Sequence, residues 1–145
     1  MMRTLFAASA VAVALVSTAI FAQSQNVVTV QVEGLRNDQG VVRCGLYNSP
    51  VGFRDVGKQY KGVNANIAGG KATCVFNDVP PGSYAVAVFH AEHNEETLPT
   101  GAFGIPKLGY GFTRDPSTSF GPPSFDAAAY KYAGGPSTWP IHIKY

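Results

Sequence analysis

Residues 76–94, FNDVPPGSYAVAVFHAEHN, decide how the chain folds. Pro80-Pro81-Gly82 is a turn signal, because proline presets φ and glycine accepts positive φ. From Tyr84 to His90 the side chains alternate in two sets, and both are apolar: Tyr84, Val86 and Val88 on one face, Ala85, Ala87 and Phe89 on the other. A strand of that kind must be covered on both faces. A second sheet can supply one cover. The other has to come from elsewhere in the chain, and residues 103–125 carry the rings to do it.

Working outward, residues 27–33 alternate Val28, Val30 and Val32 with Thr29, Gln31 and Glu33, a half-buried strand. A polar connection with turn chemistry leads to a second strand at 41–47, and the two read as an antiparallel hairpin. Ser49 and Pro50 suit the start of a single helical turn ending near Phe53, which would plug one end of the core. Residues 60–68 alternate loosely, and Gly69-Gly70 then reads as a two-residue hairpin link into 71–76. The last strand pattern covers 137–145, where Pro140 points to an edge position or a strand start. The best helical stretch, 125–132, offers two turns at most, with Ser124 as N-cap and Asp126 in the first turn. Six short strands joined by Gly/Pro turns predict an all-β fold, a single antiparallel β-sandwich.

The connection 95–136 is long for a compact domain, and such connections are either functional or disordered. It is rich in aromatics, which disordered segments lack. It therefore reads as an ordered Gly/Pro/aromatic cover. Gly104, Gly109, Gly111 and Gly121 would let it approach the sheet closely, and its rings would pack on the Ala85, Ala87 and Phe89 face.

The 145-residue chain opens with a short basic start, Met1-Met2-Arg3, and an apolar run over 5–16, followed by small residues to Ala22. That is the layout of a signal peptide, with cleavage expected after Ala22 or, second, after Ala19. An uncleaved anchor is the alternative, but the run is short of the ~20 residues a span needs. The expected division is a signal peptide at 1–22 and a β-sandwich domain at 23–145, with no transmembrane span in the mature chain. A periplasmic or secreted location follows. Losing Arg3 takes the 11 Lys and Arg to ten, against nine Asp and Glu. So balanced a charge implies neither nucleic acid nor an anionic membrane surface as partner. Two cysteines, Cys44 and Cys74, stand at inward strand positions of an exported chain and are expected to form a disulfide. Two buried free thiols or a metal pair are the alternatives.

Several motifs then occur in a telling order. They are Phe76-x-Asp78-Val79-Pro80-Pro81-Gly82-Ser83-Tyr84, His90, Gly104-Ile105-Pro106, Gly109-Tyr110-Gly111-Phe112, Gly121-Pro122-Pro123-Ser124-Phe125, and a closing Ile-x-Ile-x-Tyr. This order resembles a family of exported bacterial proteins known as domain of unknown function 2141, over nearly the whole mature chain. The resemblance implies a prealbumin-like or immunoglobulin-like β-sandwich and brings no known activity. In that family the central strand runs into His-Asp-Glu-Asn and Asn-Gly-x-x-Asp, which looks like a loop for a hard cation. Here Ala91, His93 and Pro99 stand at three of those positions.

No stretch names a reaction. His90, Glu92 and His93 offer imidazole and carboxylate ligands for a transition metal, with His142 as a further ligand only if the last strand neighbours the central one. On a regular strand His93 points away from the other two, so the set needs a turn, and the plainer reading is a hydrogen-bonded His90 beside solvated neighbours. No cofactor is otherwise implied. There is no Gly-x-Ser-x-Gly elbow, and Glu92, Glu95 and Glu96 read as solvated charges rather than a paired-carboxylate site. Tyr110, Phe112 and Trp139 are the rings that could stack on a sugar or apolar ligand, if they are not core. The expected role is a non-catalytic binding module for a small-molecule, glycan or protein partner. The alternative is a metal-binding protein or a weak metal-dependent enzyme.

Overall fold

The structure is a computed structural model, which describes residues 14, 15, 25–101 and 105–145. Apart from Ala14 and Leu15, the expected signal-peptide stretch lies outside the described residues, as do Phe103 and Gly104 of the cover. Eight strands are described: β1 (Val28–Glu33), β2 (Val41–Tyr47), β3 (Lys61–Asn66), β4 (Ala72–Phe76), β5 (Gly82–Ala91), β6 (Tyr110–Phe112), β7 (Tyr130–Tyr132) and β8 (Ser137–His142). One short helix, α1 (Phe125–Ala128), precedes β7. Among the described residues no helix is long and apolar enough to cross a membrane.

The strands form a sandwich. One sheet has the order β4-β1-β8, the other β3-β2-β5-β6, with β7 also on β5. Most pairs are antiparallel, but β8 runs parallel to β1, Val30 opposite Trp139. The inward residues of both sheets make the main core: Val28, Val30 and Val32 from β1, Val42 and Leu46 from β2, Tyr84, Val86 and Val88 from β5, and Ile141 from β8. Each such side chain contributes about 1.5–3 kcal/mol on burial.

β1 and β2 are not a hairpin. They lie in different sheets, β1 between β4 and β8, and β2 between β3 and β5. Alternation shows which side of a strand is buried but not its neighbour, and a seven-residue connection is long enough to cross from one sheet to the other. That connection is held by Asp38, whose carboxylate accepts from the backbone N–H of Gly69 (3.0 Å) and Gly70 (2.8 Å). These two bonds hold the Asp38 carboxyl below its ordinary value. Gly69-Gly70 is the expected two-residue turn, with φ of 60° and 72° and an Ala68–Lys71 bridge. Beyond that bridge the chain separates, and β3 and β4 enter opposite sheets.

Cys44 of β2 and Cys74 of β4 are joined by a disulfide that crosses the core from sheet to sheet. At the opposite side the tail after β8 performs a similar closure through the backbone: Ile143 N donates to Glu33 O in one sheet, and Lys144 exchanges two 2.9 Å bonds with Tyr110 in the other.

The outer face of β5 is covered, though differently from expectation. Phe112 and Phe125 pack over Ala85 together with Tyr47, Phe53 and Ala128. Phe53 is thus no end plug; it lies in the middle of this outer cluster, 5.3 Å from Tyr47 and 5.7 Å from Phe125, edge to face in both cases. Ala87 is half-buried against the cluster and Phe89 is half-buried. The other rings of the long connection go elsewhere. Tyr132 enters the main core beside Tyr84 and Trp139, and Phe120 is fully exposed. The helix is capped by Ser124 as its sequence indicated, Ala127 N donating to Oγ at 3.2 Å. It ends at Ala128, and 130–132 is a strand.

Two three-residue strands, β6 and β7, sit end to end on one edge of β5, opposite Ala87–Phe89 and Gly82–Tyr84 respectively. The gap between them falls at Val86. Thr113, fully buried, fills it: its N–H donates to Val86 O and its hydroxyl accepts from Val86 N, both at 3.0 Å, while the hydroxyl donates to Ala128 O. Gly111 of β6 meets the expectation of close approach, since an added Cβ would stand 2.6 Å from Ile141 Cγ2.

Because the disulfide closes a loop with a sequence separation of 30, replacing Cys44 and Cys74 together by Ala is expected to cost about 3–4 kcal/mol. Urea denaturation of both forms checks this, and reductant should destabilise the native protein by the same amount while leaving the variant unchanged.

Candidate functional site

Titratable groups collect at one end of the sandwich, where β1 and β5 finish and the C-terminal tail passes between the sheets. His90, the ninth residue of β5, is fully buried there. Its Nε2 lies 2.7 Å from Gln39 O, which can only accept, so Nε2 carries the proton. In the neutral ring Nδ1 then accepts from the Tyr145 hydroxyl, also at 2.7 Å. The same hydroxyl oxygen accepts from Arg36 N–H at 3.1 Å. Burial pushes the Tyr145 hydroxyl above its ordinary pKa. Gly109 belongs to this fit, because a side chain there would overlap the Tyr145 ring.

Glu92 lies beside this triad with its side chain 8% exposed. Its two oxygens accept from Nε and Nη2 of Arg36, and Asn37 Nδ2 adds a 3.4 Å bond. The Arg36 hydrogen bond is the main reason its carboxyl lies below the ordinary carboxylate value. The guanidinium also lies 4.6 Å over the Tyr145 ring. Arg36 thereby serves as the resident cation of the cluster.

His90, Glu92 and His93 therefore do not form a ligand set. His90 Nδ1 and Glu92 Oε1 face each other at 3.6 Å, but each already has a partner. His93 is 77% exposed and turns to Glu95, 3.3 Å away. His142 does not join them either, because β8 is paired with β1 in the opposite sheet. Among the described residues no three His, Cys, Asp or Glu side chains gather so as to hold a metal ion.

The three rings considered for ligand stacking do not share one surface: Tyr110 and Phe112 touch edge to face, with centroids 6.1 Å apart, and Trp139 lies in the other core. Phe112 is buried in the outer cluster. Tyr110 is half-buried, its hydroxyl 3.2 Å from Thr118 Oγ1. Trp139 is in the main core, stacked at 5.0 Å on Tyr130.

An open cleft of about 760 Å³ occupies the other end of the sandwich, lined by Gln25, Asn26, Val27, Tyr60, Asn77, Asp78 and Pro80. Tyr60 presents a ring 43% exposed. The surroundings are fixed: Asn26 O accepts from Val79 N at 3.0 Å, and Asn26 Oδ1 accepts from Gly135 N at 2.9 Å. Lys61 Nζ, 5.7 Å from the Tyr60 ring centre, donates to the backbone oxygens of Asn77 and Asp78. Asp78 sits in the left-handed region, φ 54°. Sequence reasoning missed Tyr60 because it precedes its strand and belongs to no motif. The only available signal was an aromatic next to the polar run 54–59.

A family model described as "Uncharacterized protein conserved in bacteria (DUF2141)" matches residues 30–139. No curated protein and no solved structure matches the chain.

Two consequences of the buried network are measurable. Tyr145→Phe leaves His90 Nδ1 without its donor and should cost about 1–3 kcal/mol in urea denaturation. Glu92 has a folded-state pKa below the ordinary 4.5, so its contribution is present above that value and is lost as pH falls through the lower one. Glu92→Gln should therefore be less stable than the parent at neutral pH, with a gap that narrows on acidification, as read from denaturation midpoints across the acid range.

Proposed function

The chain belongs to that uncharacterised bacterial family, and from its own geometry we propose an exported, non-catalytic binding module that takes a small polyhydroxylated ligand, a glycan, in the Tyr60 cleft. The observation that carries this reading is the pairing of an exposed aromatic ring with amide and carboxylate side chains on a hydrogen-bonded frame. A sugar presents an apolar C–H face and a rim of hydroxyls. The Tyr60 ring suits the first, and Gln25, Asn77 and Asp78 suit the second.

Support for a binding role over a catalytic one comes from the opposite end. There the His90 imidazole, the Glu92 carboxylate and the Tyr145 hydroxyl satisfy one another and Arg36, with His90 fully buried. A general base has to reach a substrate proton, and this imidazole has neither nitrogen free. Export, to the periplasm or beyond, is supported by the apolar leader over 5–16 and by a disulfide of the kind that persists in oxidising compartments.

The test is a titration of the mature protein with a panel of neutral oligosaccharides, followed by amide NMR. At least one should shift the resonances of Asn26, Tyr60, Asn77 and Asp78 in a saturable way, and Tyr60→Ala should weaken that binding by about tenfold. Saturable shifts confined to other residues, or none across the panel, would count against the reading.

A further inference from the structure

His142 ends β8 directly opposite Glu33, its parallel partner in β1. Glu33 ends β1, whereas the Tyr60 cleft is lined by residues preceding that strand, so this is the opposite end of the sandwich. A third residue, Asp115, reaches His142 from the turn that follows β6. Asp115 Oδ1 accepts from His142 N at 3.0 Å, and Oδ2 accepts from His142 Nδ1 at 2.6 Å. Asp115 and Arg114 before it both adopt left-handed backbone, φ 43° and 66°.

The double clasp decides which nitrogen is protonated. Nδ1 must donate to a carboxylate, so in the neutral ring Nε2 bears the lone pair. That lone pair does not face a donor. It faces Glu33 Oε2 at 3.9 Å. In the neutral ring two acceptors thus confront one another across a gap that a metal cation, a proton on Nε2 or a bridging water can close. Lys71 lies to one side, its Nζ 3.5 Å from the other carboxylate oxygen of Glu33. The gap is open to solvent, with the His142 and Glu33 side chains 58% and 44% exposed.

We propose that His142 Nε2 and Glu33 Oε2 form a two-point site for a divalent transition metal such as zinc or copper(II), with Asp115 orienting the imidazole from behind and water filling the remaining positions. The donor set fits that class of ion, since imidazole and carboxylate together suit zinc and copper. A carboxylate on the far nitrogen is the usual support of a metal-bound histidine. In a tetrahedral shell with bonds of about 2.0–2.1 Å the two ligand atoms stand about 3.3 Å apart, so a small rotation of the exposed Glu33 side chain brings them into place. With two protein ligands the metal is held weakly and exchanges readily.

A proton is the competing occupant. The Asp115 hydrogen bond and charge, with a smaller contribution from Glu33, raise the His142 pKa above its ordinary value. Metal binding to the protonated ring releases that proton to solvent, so affinity should fall on acidification.

The experiment is a zinc titration of the full-length chain, followed by calorimetry and by the imidazole resonances of His142 at about pH 7.5 and about pH 6. The expected result is saturable 1:1 binding that shifts the His142 resonances and is weaker at the lower pH. Glu33→Gln and Asp115→Asn should each weaken binding about tenfold or more, His142→Ala should abolish it, and His93→Ala should leave it unchanged. The substituted side chains of the first three variants are partly exposed, so circular dichroism should show all of them folded. Binding that survives His142→Ala, binding lost with His93→Ala, or a His142 resonance that responds to protons and not to zinc would each overturn the assignment.

Discussion

The fold depends on one constraint: β5 is apolar on both faces and cannot be left wet on either. The inner face is met by the second sheet, with Val86 and Val88 packing against the β1 and β8 side chains. The outer face is met by rings from three separate segments, Tyr47 at the end of β2 with Phe53 in the turn beyond it, Phe112 of β6, and Phe125 of α1, closing over Ala85. Small residues on that face of β5 matter, because bulky ones would hold the rings away from the sheet. Thr113 links the cover to the strand, satisfying both backbone groups of Val86 where the neighbouring strand breaks off. An unpaired amide and carbonyl at a buried edge would otherwise cost several kcal/mol.

Much of this was legible in the residues. The two-sided alternation of 84–90, the Gly69-Gly70 turn, the Ser124 cap and the Cys44–Cys74 pairing each rest on local chemistry that a short stretch contains in full. What was not legible depends on partners distant in sequence. The residues of β1 and β2 carry the same alternation whether the strands pair or face each other across a core. β6 and β7 are three residues each, too short to show a period, and Tyr110-Gly111-Phe112 is a strand through its pairing with β5, where Gly111 leaves room for Ile141. Aromatic content marked 95–136 as ordered but could not assign each ring, so Tyr132 went to the inner core, Phe125 to the outer one and Phe120 to solvent.

The same distinction governs the sites. His90 and Glu92 stood out because imidazole and carboxylate are conspicuous in any sequence. Their partners, Tyr145 and Arg36, lie 55 and 56 residues away and turn both into a closed structural network. His142 was considered only as an auxiliary to His90, yet it has its own carboxylates, Asp115 behind and Glu33 in front. Tyr60 carried no motif and is nevertheless the exposed aromatic of the open cleft. The sandwich thus has an end closed by mutual hydrogen bonds, with a histidine clasp at its margin, and an end left open.

The covered state of β5 is best tested by native-state amide hydrogen exchange on the folded protein, read at Val86. Its N–H, bonded to the buried Thr113 hydroxyl, should exchange only through global unfolding and track the denaturant dependence of overall stability. In Thr113→Val the same amide should exchange through a local opening far below that free energy. Rapid exchange at Val86 in the unmodified chain would mean that the segment from β6 to α1 does not seal the strand, and would contradict the account.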